Sequence, residues 1–273
     1  MSRTTTPSIQ LVSDVSTEDD IFSKITWRLV PFLFLCYLAA YLDRVNVGFA
    51  KLQMQKELAF SETVYGLGAG IFFLGYVLFE VPSNIILHKV GARLWLARVM
   101  LTWAVISAVT AFVSTPTAFY VMRFLLGVAE AGFIPGVLLY LTYWFPASRR
   151  GRITALFLTA IPMASILGGP VSGWILSFAS GAHGLSGWQW LFLIEAIPSI
   201  VFGVAILFYL DDILKNAKWL DADEKQRVAA IMAREQKEKE GLSELRHAFV
   251  TGRVWLLGAA YFCIASVIYI VSF

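Results

Sequence analysis

Asp43 and Arg44 stand side by side, with Asn46 two residues on, inside an apolar stretch running from Val30 to Ala50. A charged side chain at mid-bilayer costs roughly 2.5–3.5 kcal/mol, so such residues face a polar cavity, find partners and mark a substrate or ion path. Downstream, Arg123 and Glu130 are seven residues apart in a second apolar stretch. On an α-helix that spacing is two turns, about 10 Å along the axis and nearly one face. If the two stretches are helices of opposite direction, both carboxylates and both guanidiniums fall in one buried layer. Arginine offers a fixed fork for bidentate contact with a carboxylate and keeps its charge, whereas a buried Asp or Glu can take up and release a proton. The chemistry this suits is recognition of an organic anion, with a proton as second cargo. The alternative is that Asp43 pairs with Arg44 or Arg123 only to hold helices together, at the cost of desolvating four charges.

These residues need membrane helices to hold them. The chain has 273 residues, 58% hydrophobic and 15% charged, a balance outside that of soluble domains. Apolar runs near 27–50, 64–87, 94–113, 117–144, 153–177 and 188–210 are each long enough to cross about 30 Å of hydrocarbon. A polar segment, 211–253, follows, and then a seventh apolar run, 254–273. Lys89, Arg93 and Arg98 follow the second span and Arg149, Arg150 and Arg152 the fourth, while 114–116 and 177–187 hold no Lys or Arg. By the positive-inside rule the N-terminus and the even-numbered loops are cytoplasmic; Lys51 and Lys56 make the first external loop less clean. The acidic residues before Lys24 argue against a cleavable signal peptide.

Within the spans, Tyr76 lies near mid-depth, where its hydroxyl can donate to a bound carboxylate. Glu80, one turn further and nearer the cytoplasmic end, is placed either to meet Arg98 or another cytoplasmic base as a gate or simply to be solvated at the interface. Small-residue pairs at four-residue spacing, Gly66/Gly70, Gly127/Ala131, Gly132/Gly136 and Gly169/Gly173, predict close helix packing. Pro82, Pro135, Pro162, Pro170 and Pro198 are expected to interrupt helices. Trp188 and Trp190 suit an interfacial aromatic belt, and residues 224–240 suit a solvated helix with pairs such as Glu235 and Lys239. Glu195 carries no assignment.

Other classes lose ground. No Gly-Lys dipeptide exists, so there is no Walker A loop. His88, His183 and His247 fall in loops or at span ends, Cys36 and Cys263 lie in separate spans, and no metal site, cofactor or enzymatic activity is expected. Net charge is only +3, with the basic residues scattered, which argues against nucleic acid as a partner.

Taken together, several motifs resemble the anion:cation symporter family of the major facilitator superfamily, in particular its phthalate, tartrate and hydroxyphenylacetate permease branch. They are Tyr41-Leu-Asp43-Arg44-Val-Asn46-Val-Gly48-Phe-Ala50, Tyr65-Gly-Leu-Gly-Ala-Gly70, Phe79-Glu80-Val-Pro82-Ser-Asn84, Arg123 to Phe133, Tyr143-Trp-Phe-Pro146 and Trp188 to Glu195. The resemblance implies an all-α integral membrane fold: the N-terminal six-helix bundle of a major-facilitator transporter, a 3+3 inverted repeat, plus the start of a seventh helix. It implies four regions, a cytosolic tail (1–26), the six-helix domain (27–210), a cytosolic linker (211–253) and the first helix of a second domain (254–273).

By the same resemblance Asp43 and Glu130 match proton-coupling acids. Arg44 and Arg123 match anion-binding groups, and Tyr41, Tyr76 and Asn46 complete the substrate-binding candidates. Glu80, Lys89, Arg93 and Arg98 are the cytoplasmic gate candidates. The function implied is proton-coupled uptake of an organic anion by alternating access in the bacterial inner membrane. The alternatives are an uncoupled facilitator or exchanger, and a non-transporting scaffold or receptor. Two departures stand out. His88 occupies the position, three before Gly91, where the superfamily usually has an acid, so the lock to a neighbouring helix is expected to be weakened. Six spans and part of a seventh also predict a truncated protein whose partner is a missing C-terminal half or a second copy.

Overall fold

The computed structural model of the protein describes residues 7–239 and 251–272. The part of the polar segment that includes His247 and Glu240, together with Phe273, lies outside the described residues. Ten α-helices follow one another among the described residues: α1 (Pro7–Leu58), α2 (Glu62–Val90), α3 (Ala92–Thr110), α4 (Pro116–Glu130), α5 (Phe133–Trp144), α6 (Ala147–Leu158), α7 (Ala160–Phe178), α8 (Gly187–Tyr209), α9 (Ala222–Lys239) and α10 (Gly252–Ser272). Among the described residues six spans are long and apolar enough to cross a membrane, with α4 and α5 forming the fourth and α6 and α7 the fifth.

The contacts obey an internal symmetry. The second span packs on the fourth and the first on the fifth; the first packs on the sixth and the third on the fourth; the third and sixth pack on each other. Exchanging spans one to three with four to six maps this set onto itself. Because each unit has an odd number of spans, the two units run in opposite directions through the membrane, which is the 3+3 inverted repeat.

Two expected single helices are each broken once. Within the fourth span α4 stops at Glu130 because Ala131 leaves the helical region (φ −54, ψ 130) and Gly132 adopts φ +86. A Cβ on Gly132 would lie 2.2 Å from Ser83 Oγ, so both the left-handed backbone and the packing demand glycine. The fifth span breaks at Thr159. Pro135 and Pro162 then fall in the first turns of α5 and α7, where a missing N–H is tolerated. Pro82, Pro170 and Pro198, expected to interrupt helices, instead lie inside α2, α7 and α8 without ending them.

Close backbone approach is concentrated between α2 and α4. Cβ atoms on Gly68 and Gly127 would lie 2.1 Å from the Phe119 ring and 2.0 Å from the Phe72 carbonyl oxygen. The four-residue glycine pairs divide: Gly127 and Gly136 sit in such contacts, whereas Gly66, Gly70, Gly169 and Gly173 have nothing within 4 Å. Those four are not packing points of this bundle.

At the end where α9 lies, charge is managed by ion pairs. Arg149 and Arg150 occupy the first turn of α6, the end of a helix that disfavours cations. Glu235 of α9 compensates, accepting from Ala147 N at 2.7 Å and pairing with Arg150 at 3.1 Å, while Arg149 pairs with Asp19 of α1. Lys24 of α1 reaches Glu224 at 2.8 Å, and Asp221 and Glu224 cap the start of α9 reciprocally. The expectation of a merely solvated helix here is corrected: Val228 is fully buried, and Ile231 and Met232 pack against the core. Trp188 departs from an interfacial belt in the same way, being buried with its Nε1 donating to Glu57 at 2.8 Å.

Candidate functional site

Asp43 and Arg44 are adjacent on α1, and a helix turns each residue about 100° from the last, so they leave the axis in different directions. Arg44 faces α2 and α4. Its Nε donates to Glu130 Oε1 at 2.7 Å, and a terminal nitrogen approaches the same oxygen at 2.5 Å; both side chains are buried. The guanidinium also lies 5.2 Å from the Tyr76 ring centroid and 5.8 Å from that of Phe72. Glu130 is the last residue of α4, held there by the Gly132 break, where the helix's negative end makes a carboxylate depend on its cation.

Arg123 enters from two turns earlier on α4. Its guanidinium lies 4.8 Å from the centroid of the same Phe72 ring, and its Nε donates to Gly68 O at 3.4 Å. The carbonyl is within reach because the glycine contacts bring α2 against α4. Arg123 is wholly buried, yet Nη1 and Nη2 have no hydrogen-bond partner. A buried guanidinium with two unpaired nitrogens is an anomaly that calls for a ligand or a conformational partner.

Asp43 turns to α3 and α8. It accepts from Trp103 Nε1 and Ser107 Oγ at 3.2 Å each, and from Ser199 Oγ at 2.5 Å. The structural pairing of Asp43 with Arg44 or Arg123 therefore does not occur: the carboxylate that pairs with Arg44 is Glu130, and Asp43 sits among neutral donors. Sequence spacing brought out the four charges but not this division, since the azimuth of neighbouring residues depends on which helices flank α1. Trp103, Ser107, Ser199 and Phe72 were not candidates; the available signal was polar side chains inside apolar runs, at Ser107 and Ser199.

The other candidates scatter around this centre. Tyr41 is buried, edge-on to Tyr37. Asn46 is fully buried one turn beyond Asp43, its amide atoms unpaired. Glu80 and Arg98 do not pair: Arg98 lies over the Trp95 ring at 4.3 Å, and among the described residues no ion pair includes Glu80. Lys89 is exposed. Arg93 meets Asp212, whose Oδ1 accepts from the Arg93 backbone N–H at 2.7 Å, with the Arg93 Nε 3.7 Å from Oδ2. Asp212 thus places an acid at the start of α3, beside Gly91, while His88 contacts Tyr143 Oη at 3.1 Å.

The six spans form an inverted repeat with a buried, charged centre between the first and fourth. Residues 33–273 match the Major Facilitator Superfamily, and the chain belongs to that family. It is 56% identical over 254 residues, 93% of this chain and 58% of the relative, to the "Putative metabolite transport protein NicT" of Pseudomonas putida. It is 52% identical over 261 residues, 94% of this chain and 59% of the relative, to a "Putative tartrate transporter" of Agrobacterium vitis. The chain thus spans under two thirds of the length of these curated relatives. Among solved structures, the xylose transporter XylE from E. coli in a partially occluded inward open conformation superposes with a TM-score of 0.61 at 15% identity, covering 84% of this chain and 60% of that one. That likeness concerns the fold.

Proposed function

We propose that the chain forms the N-terminal half of a proton-coupled symporter for an organic anion, working by alternating access across the bacterial inner membrane with its N-terminus in the cytoplasm. The observation that carries this reading is Arg123, buried with Nη1 and Nη2 unpaired beside the Arg44–Glu130 pair. Two guanidiniums on one aromatic ring, one occupied by an internal carboxylate and one not, suit a ligand bearing a carboxylate of its own. Protonation of Glu130 releases Arg44, and both arginines then grip the anion; loss of the proton restores the internal pair and expels the ligand. Asp43 is the second proton-coupling acid. Tyr76 beneath Arg44 and Tyr41 nearby border the substrate, and Arg93 and Lys89 belong to the cytoplasmic gate. Residues 1–26, 27–210, 211–253 and 254–273 then serve as cytosolic extension, transport domain, linker and first helix of the second half. The relative named for tartrate, a hydroxylated dicarboxylate, supports the ligand class.

The test is uptake of labelled tartrate and related carboxylates into cells expressing this chain together with a six-helix C-terminal half. Accumulation is expected to require an inward proton gradient and to vanish with Arg123→Ala. Asp43→Asn and Glu130→Gln are expected to abolish uphill uptake while sparing exchange; undiminished uphill uptake in both would refute the assignment. Uptake indifferent to a protonophore would mark a facilitator, and binding without translocation a receptor.

A further inference from the structure

Behind Asp43, on the side of α1 away from Arg44, a second carboxyl group lies buried and has no role in the mechanism above. Glu195 of α8 is 4% exposed, in the middle of an apolar span. Ser172 of α7 donates to its Oε1 at 2.8 Å, and its Oε2 has no hydrogen-bond partner. The Asn46 amide faces this carboxyl, outside hydrogen-bonding geometry, and both of its polar atoms are also unpaired.

The helix directions stack these groups in two rungs. Ser199, which donates to Asp43, is one turn of α8 from Glu195; Asn46 is about one turn of α1 from Asp43, in the matching direction because α1 and α8 are antiparallel. One rung is Asp43 with Trp103, Ser107 and Ser199. The next is Glu195 with Ser172 and Asn46.

From α1 these acids meet Asn46 and the neighbouring Arg44; from α3, Trp103 and Ser107; from α4, the charge of Glu130; from α7, Ser172; and from α8, Ser199. Among the described residues no ion pair includes Asp43 or Glu195, and the Arg44 guanidinium is engaged with Glu130. Two ionised carboxylates about one helical turn apart, desolvated and without a cation, are not a stable resting arrangement. The three donors on Asp43 suit an anion, and the Oε2 of Glu195, which accepts from no donor, leaves room for a hydroxyl. A purely structural network would be satisfied throughout, and this one is not.

We propose that Glu195 and Asp43 hold one proton between them as a coupled pair, walled off by α1 from the arginines that meet the anion. Whichever carboxyl carries it, the pair bears one proton and one negative charge, so the charge of the layer stays constant while the proton changes rung. Its use in transport rests on the proton-coupled reading above; its existence does not.

Infrared titration of the purified chain in detergent micelles, with 13C-carboxyl aspartate to separate Asp from Glu bands, tests it. The protonated-carboxyl band lost in Asp43→Asn identifies Asp43. In Glu195→Gln the midpoint of that band is expected to move by on the order of one pH unit, the mark of coupled sites. Ser172→Ala, which leaves both carboxyls in place and does not touch Asp43, is expected to move it in measurable degree and covers the case in which Glu195→Gln does not fold. An Asp43 midpoint unmoved by the folded variants overturns the pair. A moved midpoint together with protonophore-insensitive uptake would leave the pair standing and sink the transport reading instead.

Discussion

The protein uses the same Arg–Glu pairing in two places with opposite physical settings. In the membrane layer, Arg44 and Glu130 have side chains 3% and 5% exposed; at the α9 end, Arg150 and Glu235 are 25% and 16% exposed, and Lys24 is 47% exposed. Water at the α9 end screens and replaces lost partners, so those pairs adjust the fit of α9 against the bundle. Inside the bundle nothing replaces a lost partner, so breaking the same kind of pair is costly. Strength of pairing is thus a property of place rather than of residue type.

Breaking the buried pair from one side should have the largest effect. Glu130→Leu removes the carboxylate of the buried pair and is expected to destabilise the chain by about 3–5 kcal/mol in denaturant unfolding in micelles. Arg44→Met combined with Glu130→Leu should recover most of that loss, since an apolar pair needs no compensation; a double variant as unstable as the single one would refute the comparison. Next comes the break that positions Glu130. Gly132→Ala forces a Cβ toward Ser83 Oγ in a left-handed backbone and is expected to cost at least 1–2 kcal/mol, part of it returned by Ser83→Gly as read by the same unfolding curves.

At the wet end the effects shrink. Glu235→Ala removes both a cap on α6 and a partner of Arg150, and about 1 kcal/mol is expected, with faster hydrogen exchange confined to α9 and the start of α6. Lys24→Ala should change stability by under about 1 kcal/mol, and that difference should fade at high salt. A salt-insensitive loss at Lys24 equal to that at Glu130 would erase the distinction between the regions.

The sequence made the spans readable because apolar length reports on the bilayer directly. It also made the four central charges readable, because ionisable residues in hydrocarbon are rare. The partition of Asp43 from Arg44 was not readable. It follows from α3 and α8 presenting Trp103, Ser107 and Ser199 to one side of α1 and α4 presenting Glu130 to the other, a matter of tertiary azimuth. The break after Glu130 was half visible: Gly132 and Pro135 were noticed, but only the Ser83 contact shows why no other residue fits. Residues 224–239 misled because charge was read as solvation, whereas Glu224 and Glu235 spend theirs on α1 and α6. Asp212 stands at the head of the polar segment 211–253, so its position on the start of α3 has no local signal in the sequence.

The first helix deserves a mechanical reading. Its 52 residues make a rod of about 78 Å, far longer than the hydrocarbon it crosses. Asp43 and Arg44 are buried within its apolar span, and Lys24 lies about 28 Å away along the same axis. Rocking the rod by roughly 5° about its charged centre would swing Lys24 sideways by about 2.5 Å, less whatever bending Pro31 absorbs. That stroke is nearly as long as the 2.8 Å contact at its end, so a helix of this length would turn a small tilt at its centre into a displacement large enough to break a contact at its tip.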